Sequence, residues 1–267
     1  MINLPALDTA LTRFLEADQA DRRDRKLKPL VKRLNAALDK WFTEQGRQFV
    51  RSLGPFQSRF QESIYPADWL PLLAATQNST RNMATEPLAE LIFEALLLGG
   101  GDLMKGLGIA QDDPNFGISF NLDDVAAIEY AMQHAAALVT RIDDTTRRYL
   151  NTLISQAVEN GWSYDRLAQA ITDRFAEFSE DRALRIAIYE LGDAFEEGRW
   201  QQARRLAGAG LEMEKGWLTA GDHKVRQTHR DNGVQGWIPI DDDFSSGHQR
   251  PPTDPGCRCA GLYRRKP

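Results

Sequence analysis

Cysteine is scarce in this chain: two residues in 267, Cys257 and Cys259. Two are too few for a disulfide framework. A single intervening residue also sets them too close for an ordinary bridge without a strained ring. An apolar leader is missing. The N-terminus carries a mixed, charged helical pattern instead, so the expectation is cytoplasmic synthesis without a signal peptide. Long apolar runs are missing as well. The most apolar stretch, Leu88–Leu98, is too short to span a bilayer and includes Glu90 and Glu94. It reads as a buried helix, and no membrane partner is expected. There is no phosphate loop, because Gly99–Gly101 follows no strand pattern and lacks a Lys-Ser/Thr. Those glycines read as a flexible helix stop. No basic motif interleaved with aromatics, as in the nucleic-acid-binding folds, is present.

What the chain does hold is an ordinary soluble composition, with 42% hydrophobic and 27% charged residues. Its length suits one large domain or two modest ones. The charge is segregated. Residues 1–60 carry a net +5, residues 61–198 a net −14, and residues 199–267 a net +4. Solvated helix faces account for such a pattern. The functional alternative is that the basic ends meet DNA or an acidic partner surface while the middle does not.

Most of the sequence has helical periodicity. Leu4, Leu7, Leu11, Phe14 and Leu15 start an N-terminal helix, and Asp18–Lys28 reads as a charged hinge. Leu27, Leu30, Val31, Leu34, Leu38 and Trp41 then define a long amphipathic helix that Gly54-Pro55 ends. Its narrow seam suits packing in a bundle, or docking to a partner. The stretch from Gln57 to Asn82, with Pro66 and Pro71, reads as irregular. A helix is expected over Glu86–Leu98, and a Gly/Asp/Pro/Asn-rich connection over Gly106–Asn121. A long helix follows from Leu122 to Val158, with Gly161 as its stop. Ser163 caps a helix through Phe175, and Ser179 caps another from Glu180 to about Leu206. These patterns predict a mainly α fold of long helices with a small C-terminal α+β module. The expected divisions are an N-terminal, partner-docking helical region (1–110), a second helical region (111–210) and the module (211–267).

Within the module, Asp222–Arg230 reads as a short helix, with Thr219 as N-cap and Gly233 as a left-handed stop. That helix would place Asp222, Arg226 and His229 on one face. Gln235–Ile240 reads as a strand that Pro239 confines to an edge, and Arg258–Tyr263 as a second strand.

Trp217, Thr219, Asp222, Val225, Arg226, His229, Gly233, Phe244 and Cys257-Arg258-Cys259 occur together in this order. The pattern resembles the tailed-phage head-morphogenesis family, the Mu F-like minor head proteins. The resemblance extends back through Gly161-Trp162-Ser163, Leu167-Ala168, Arg182-Ala183 and Ile186-Ala187, and covers roughly residues 120–260. Where the family commonly has Arg-Thr-Glu, this chain keeps only Glu190. Residues 1–110 lie outside the resemblance. It implies a non-enzymatic minor head protein that joins the procapsid in few copies. Such a protein associates with the portal and affects head morphogenesis and DNA packaging or ejection. Further partners it implies are the major capsid or scaffolding protein and packaged DNA. Its location is the virion, in the capsid interior or at the portal vertex, after synthesis in the host cytoplasm.

The same residues admit other chemistry. His223, His229, Cys257 and Cys259 offer two imidazoles and two thiolates, a donor set that suits a structural zinc, with Asp222 as a substitute for His223. The metal-free alternative is a hydrogen-bonded cluster. In it His229 bonds Asp222 or backbone, and Arg226 or Arg258 pairs with acidic groups. No catalytic residues and no other cofactor are expected. The rival class is an enzyme. It would be a metal-dependent nuclease using Asp222, His229 and Asp241–Asp243, or a hydrolase pairing a thiolate with His229.

Overall fold

The computed structural model describes residues 4–59, 66–110, 113, 124–254 and 256–267, with side chains from Arg23 onward except at Arg59, Ser179 and Glu180. Among these residues the order is α1 (Leu4–Ser52), a 3-10 turn (Gly54–Arg59), α2 (Pro66–Thr80), α3 (Asn82–Gly106), α4 (Val125–Glu159) and α5 (Tyr164–Glu177). A π turn (Phe178–Arg182), α6 (Ala183–Gly208), β1 (Met213–Leu218), α7 (Gln227–Gln235), β2 (Ile238–Pro239) and β3 (Ala260–Arg265) complete it. The fold is mainly α with a small α+β module at its C-terminal end, as the periodicity predicts. Most of the expected 106–121 connection lies outside the described residues.

The chain forms two compact units. One gathers Met1–Val31, Ile92–Ala127 and Ile188–Pro267, and the other Lys32–Leu91 and Ile128–Ala187. Among its described residues the second unit has helices and no strand. Leu34, Leu38, Trp41, Phe42 and Phe49 recur along α1 at helical spacing and are fully buried. Each such side chain contributes about 1.5–3 kcal/mol relative to leaving it exposed. Phe49 meets Trp69 of α2 edge-on, with ring centroids 6.4 Å apart. Gly46 makes room for Phe175 of α5, since a Cβ there would sit 2.7 Å from Phe175 Cγ. A polar knot crosses this core. Gln45 Nε2 donates to Asp143 Oδ1 (3.1 Å) and Gln77 Nε2 to the Asp143 carbonyl (3.0 Å). Ser163 caps α5 as expected, its hydroxyl accepting from the Arg166 N–H at 3.3 Å.

Four expectations fail, each for a visible reason. Asp18–Lys28 is not a hinge, because α1 runs through it unbroken. Its residues are mostly good helix formers, and two of its charges have partners, Lys26 pairing with Asp102 and Arg23 with Glu196. Residues 66–80 are not irregular. Pro66 starts α2, where a proline costs little, and Trp69, Leu73, Thr76, Gln77 and Thr80 form its buried stripe. Ser179 starts no new helix, since the chain passes from α5 to α6 through the π turn.

Gly99–Gly101 does not stop α3, which continues to Gly106. A Cβ on Gly99 would lie 1.9 Å from the Phe195 carbonyl oxygen, and one on Gly198 would lie 2.0 Å from that of Leu96. The glycines therefore mark a helix crossing in which α3 and α6 touch backbone to backbone.

The sheet belongs to the first unit. Its order is β2-β1-β3, all antiparallel, so Pro239 does sit on an edge strand. The central strand β1 was not anticipated. Met213, Lys215 and Trp217 alternate along it and are all buried, whereas Glu214 pairs with Arg264 directly opposite on β3 (2.7 Å). Met213 joins Leu103, Met104, Ala203, Leu206, Leu211 and Ile240 in one apolar cluster. Trp217 joins Ile238, Phe244 and Cys259 in another.

Candidate functional site: a histidine and two cysteines held by the sheet

The expected helix over Asp222–Arg230 begins five residues late. Asp222 Oδ1 accepts the Lys224 N–H at 3.0 Å, a local turn that competes with helix formation. Arg226 is extended (φ −62°, ψ 149°) and is the N-cap of α7. Arg230 holds the turn, donating to the carbonyls of Val225 (3.1 Å), Asp222 and His223 (both 3.4 Å). Thr219 is therefore not a cap. Gly233 lies inside α7, packed near the Thr219 methyl, and the left-handed residue that ends the helix is Gly236 (φ 77°). Asp231-Asn232-Gly233 has the composition of a turn, but helix α7 runs through it.

Asp222, Arg226 and His229 consequently do not share a helix face. Asp222 pairs with Arg258 (2.6 Å) and Arg226 with Asp254 (3.6 Å), so both arginines have acidic partners, as the metal-free reading expected. His229 alone turns inward, 4% exposed. Its ring lies 5.3 Å from Trp217, which packs edge-on to Phe244 at 5.1 Å.

His229 Nδ1 is 3.6 Å from Cys257 Sγ and 3.5 Å from Cys259 Sγ. Its other ring nitrogen, Nε2, meets Thr253 Oγ1 at 3.0 Å, and that hydroxyl donates to Asp254 Oδ2 at 2.9 Å. His229 thus bonds neither Asp222 nor backbone. The three ligand-type atoms of His229, Cys257 and Cys259 all lie within 4.8 Å of one another. His223 is exposed in the turn before α7, and neither it nor Asp222 nor Asp241–Asp243 contributes an atom to the group. Asp241 pairs instead with Arg204 (3.2 Å).

The sulfurs sit among N–H donors. The thiol of Cys259 and the backbone N–H groups of Cys259 and Thr253 hold the Cys257 sulfur well below the ordinary thiol range. The Ala220 N–H and the Trp217 indole N–H face Cys259. The indole N–H is buried and has no partner at regular hydrogen-bond geometry.

Residues the sequence did not single out hold this arrangement in place. Glu196 of α6 is fully buried, and its Oε2 accepts the Gly261 N–H at 3.0 Å. Arg199 donates to the Gly261 carbonyl at 2.8 Å, and Arg23 to the Cys259 carbonyl at 3.3 Å. Arg250 bonds Asp193 and Glu197 of α6, both at 2.6 Å. Part of the acidic middle of the chain is therefore internal wiring. Asn232 is also fully buried. It joins α7 to the turn after Phe244, its Nδ2 donating to Ser246 Oγ (2.8 Å) and its Oδ1 accepting from Ser245 Oγ (3.0 Å) and the Ser246 N–H (3.1 Å). Its place three residues after His229 was the one available signal.

Residues 148–262 match the family model described as Phage Mu protein F like protein. This stretch is similar to that family. The match includes α5, α6 and every residue of the motif from Trp217 to Cys259. It supports the head-morphogenesis family. It begins at residue 148, later than the resemblance drawn from about residue 120. No curated protein and no solved structure matches the chain.

Proposed function

We propose that this chain is a non-enzymatic minor head protein of a tailed phage, present in few copies and associated with the portal. It acts in head morphogenesis and in DNA packaging or ejection, and its Mu F-like region is a compact folding and docking unit. The observation that carries this reading is the family match over residues 148–262.

The use the molecule makes of its motif supports it. Asp222 and Arg258 are spent on each other, joining the turn before α7 to the segment entering β3, and outside the motif Glu196 and Arg199 join α6 to β3. A hydrolytic site would keep such groups facing a substrate. Asp222 and Asp241 of the nuclease reading pair with Arg258 and Arg204, and neither they nor Asp242 and Asp243 join the His229 group. The major capsid or scaffolding protein and packaged DNA are further partners of this reading. The basic ends of the chain suit an acidic protein surface or DNA.

Quantitative mass spectrometry of empty heads and full particles from the source phage tests it. The expected result is a few copies per head that remain with the portal when the shell is dissociated. Absence from both particles would overturn it.

A further inference from the structure

We propose that His229, Cys257 and Cys259 bind one zinc ion through His229 Nδ1 and the two sulfurs. The inference does not rest on the head-protein reading, and neither stands or falls with the other.

The distances carry it. Zinc bonds thiolate sulfur at about 2.3 Å and imidazole nitrogen at about 2.05 Å, and a tetrahedral angle between them sets the sulfur about 3.6 Å from the nitrogen. Here both sulfurs lie at that separation from the same nitrogen, at 3.6 and 3.5 Å. A hydrogen-bonded cluster explains this poorly. Nδ1 has one proton or one lone pair to offer and cannot serve two sulfurs well at once, whereas a metal at the centre satisfies all three atoms.

The surroundings make a second case. A metal-binding histidine commonly donates its other N–H to an oxygen, which fixes the ring and raises its basicity. His229 Nε2 meets Thr253 Oγ1, which is itself anchored to Asp254. Backbone N–H groups of Thr253, Cys259 and Ala220 point at the two sulfurs. The buried Trp217 indole N–H, with no other partner, faces Cys259. Such hydrogen bonds from outside the ligand set are the partners that commonly surround a bound metal. Two thiolates and an imidazole in a tetrahedral arrangement select zinc over the hard cations.

His223 is not a ligand in this arrangement. No fourth His, Cys, Asp or Glu among the described residues joins the group. The ion would join α7 to the segment entering β3, beside the apolar cluster of Trp217, Ile238 and Phe244.

The full chain, purified under reducing conditions without chelator, should carry roughly one zinc by elemental analysis and native mass spectrometry. Cys257→Ser, Cys259→Ser and His229→Gln should each lower that content at least tenfold, and His223→Ala should leave it unchanged. Should the ligand variants fail to fold, Co2+ added to the metal-stripped wild-type chain decides, because two thiolates and an imidazole give a thiolate-to-cobalt charge-transfer band. A folded, reduced protein with less than about a tenth of an equivalent of zinc and no such band overturns the proposal. So does loss of metal in His223→Ala with retention in Cys257→Ser.

Discussion

Two glycines of α6 should respond to the same substitution with opposite signs. Gly192 and Gly198 both lie inside the helix. A Cβ on Gly192 meets nothing within 4 Å, but one on Gly198 would stand 2.0 Å from the Leu96 carbonyl oxygen and 2.8 Å from its carbon. Helix propensity alone favours alanine over glycine by about 1 kcal/mol at either position. At Gly192 that gain should survive, so Gly192→Ala is expected to stabilise by about 0.5–1 kcal/mol. At Gly198 the new methyl meets main chain, which cannot swing aside, and α3 and α6 must separate by more than an ångström. Overpacking costs about 1–3 kcal/mol and occasionally more. A backbone collision belongs near 3, so the net loss is about 2 kcal/mol once propensity is credited. The two variants should therefore differ by about 3 kcal/mol, or about 6–12 °C in Tm for a chain of this size class. Paired thermal and urea unfolding of the two variants measures this. If Gly198→Ala proves as stable as Gly192→Ala, the backbone contact between α3 and α6 is not there, and the reason given for helix α3 continuing through its glycines fails with it.

Other consequences are open to measurement. Glu196→Ala should cost about 3–5 kcal/mol by denaturant unfolding, because it leaves Arg199, Arg23 and the Gly261 N–H without their buried partner. Glu196→Gln, which keeps an acceptor for Gly261, should cost less. Asn232→Ala should cost about 1–3 kcal/mol and increase amide exchange at Ser246, whose N–H it leaves unsatisfied; unchanged exchange there would count against the role given to Asn232. Lys215 lies in the sheet over the Phe244 ring, and burial pushes its ammonium down to about 8. The unfolded chain then holds more protons than the native one between about pH 8 and pH 10.4. Stability from this group should rise through that window, by an amount on the order of 2–3 kcal/mol, and Lys215→Met should remove the rise. Equal pH slopes for the two proteins would refute it.

The helices were legible where their signals were local. Leu34, Leu38 and Trp41 fall at helical steps, Gly54-Pro55 ends α1, and Ser163 caps α5. Failures came where a residue's local habit was overruled by a distant partner. Gly99 looks like a stop until the carbonyl of Phe195 is placed against it. The charged stretch before Leu30 looks like a hinge until Lys26 meets Asp102 and Arg23 meets Glu196. β1 escaped notice because Glu214, Lys215 and Gly216 have poor strand propensity, and the burial of Lys215 depends on Phe244 and Gln249, about thirty residues away. At the site, the order of the motif residues identified His229, Cys257 and Cys259. It could not reveal that Asp222 turns away to Arg258, because that depends on the chain leaving helical geometry at Arg226.

The contact between Arg23 and the carbonyl of Cys259 joins residues 236 positions apart, and this bears on the order of folding. The unit that contains it is drawn from three separated stretches of chain, whereas the helical unit lies wholly between Lys32 and Ala187. During synthesis the helical unit can complete its core before the sheet-bearing unit has its last strand. The latter cannot make the contact of Arg23 with the Cys259 carbonyl until that last segment emerges. Closing so long a loop is slow, and the ordered helical unit inside it shortens the chain that remains to be searched. Pulsed hydrogen exchange during refolding should therefore find Leu38 and Phe42 protected before Trp217 and Leu262.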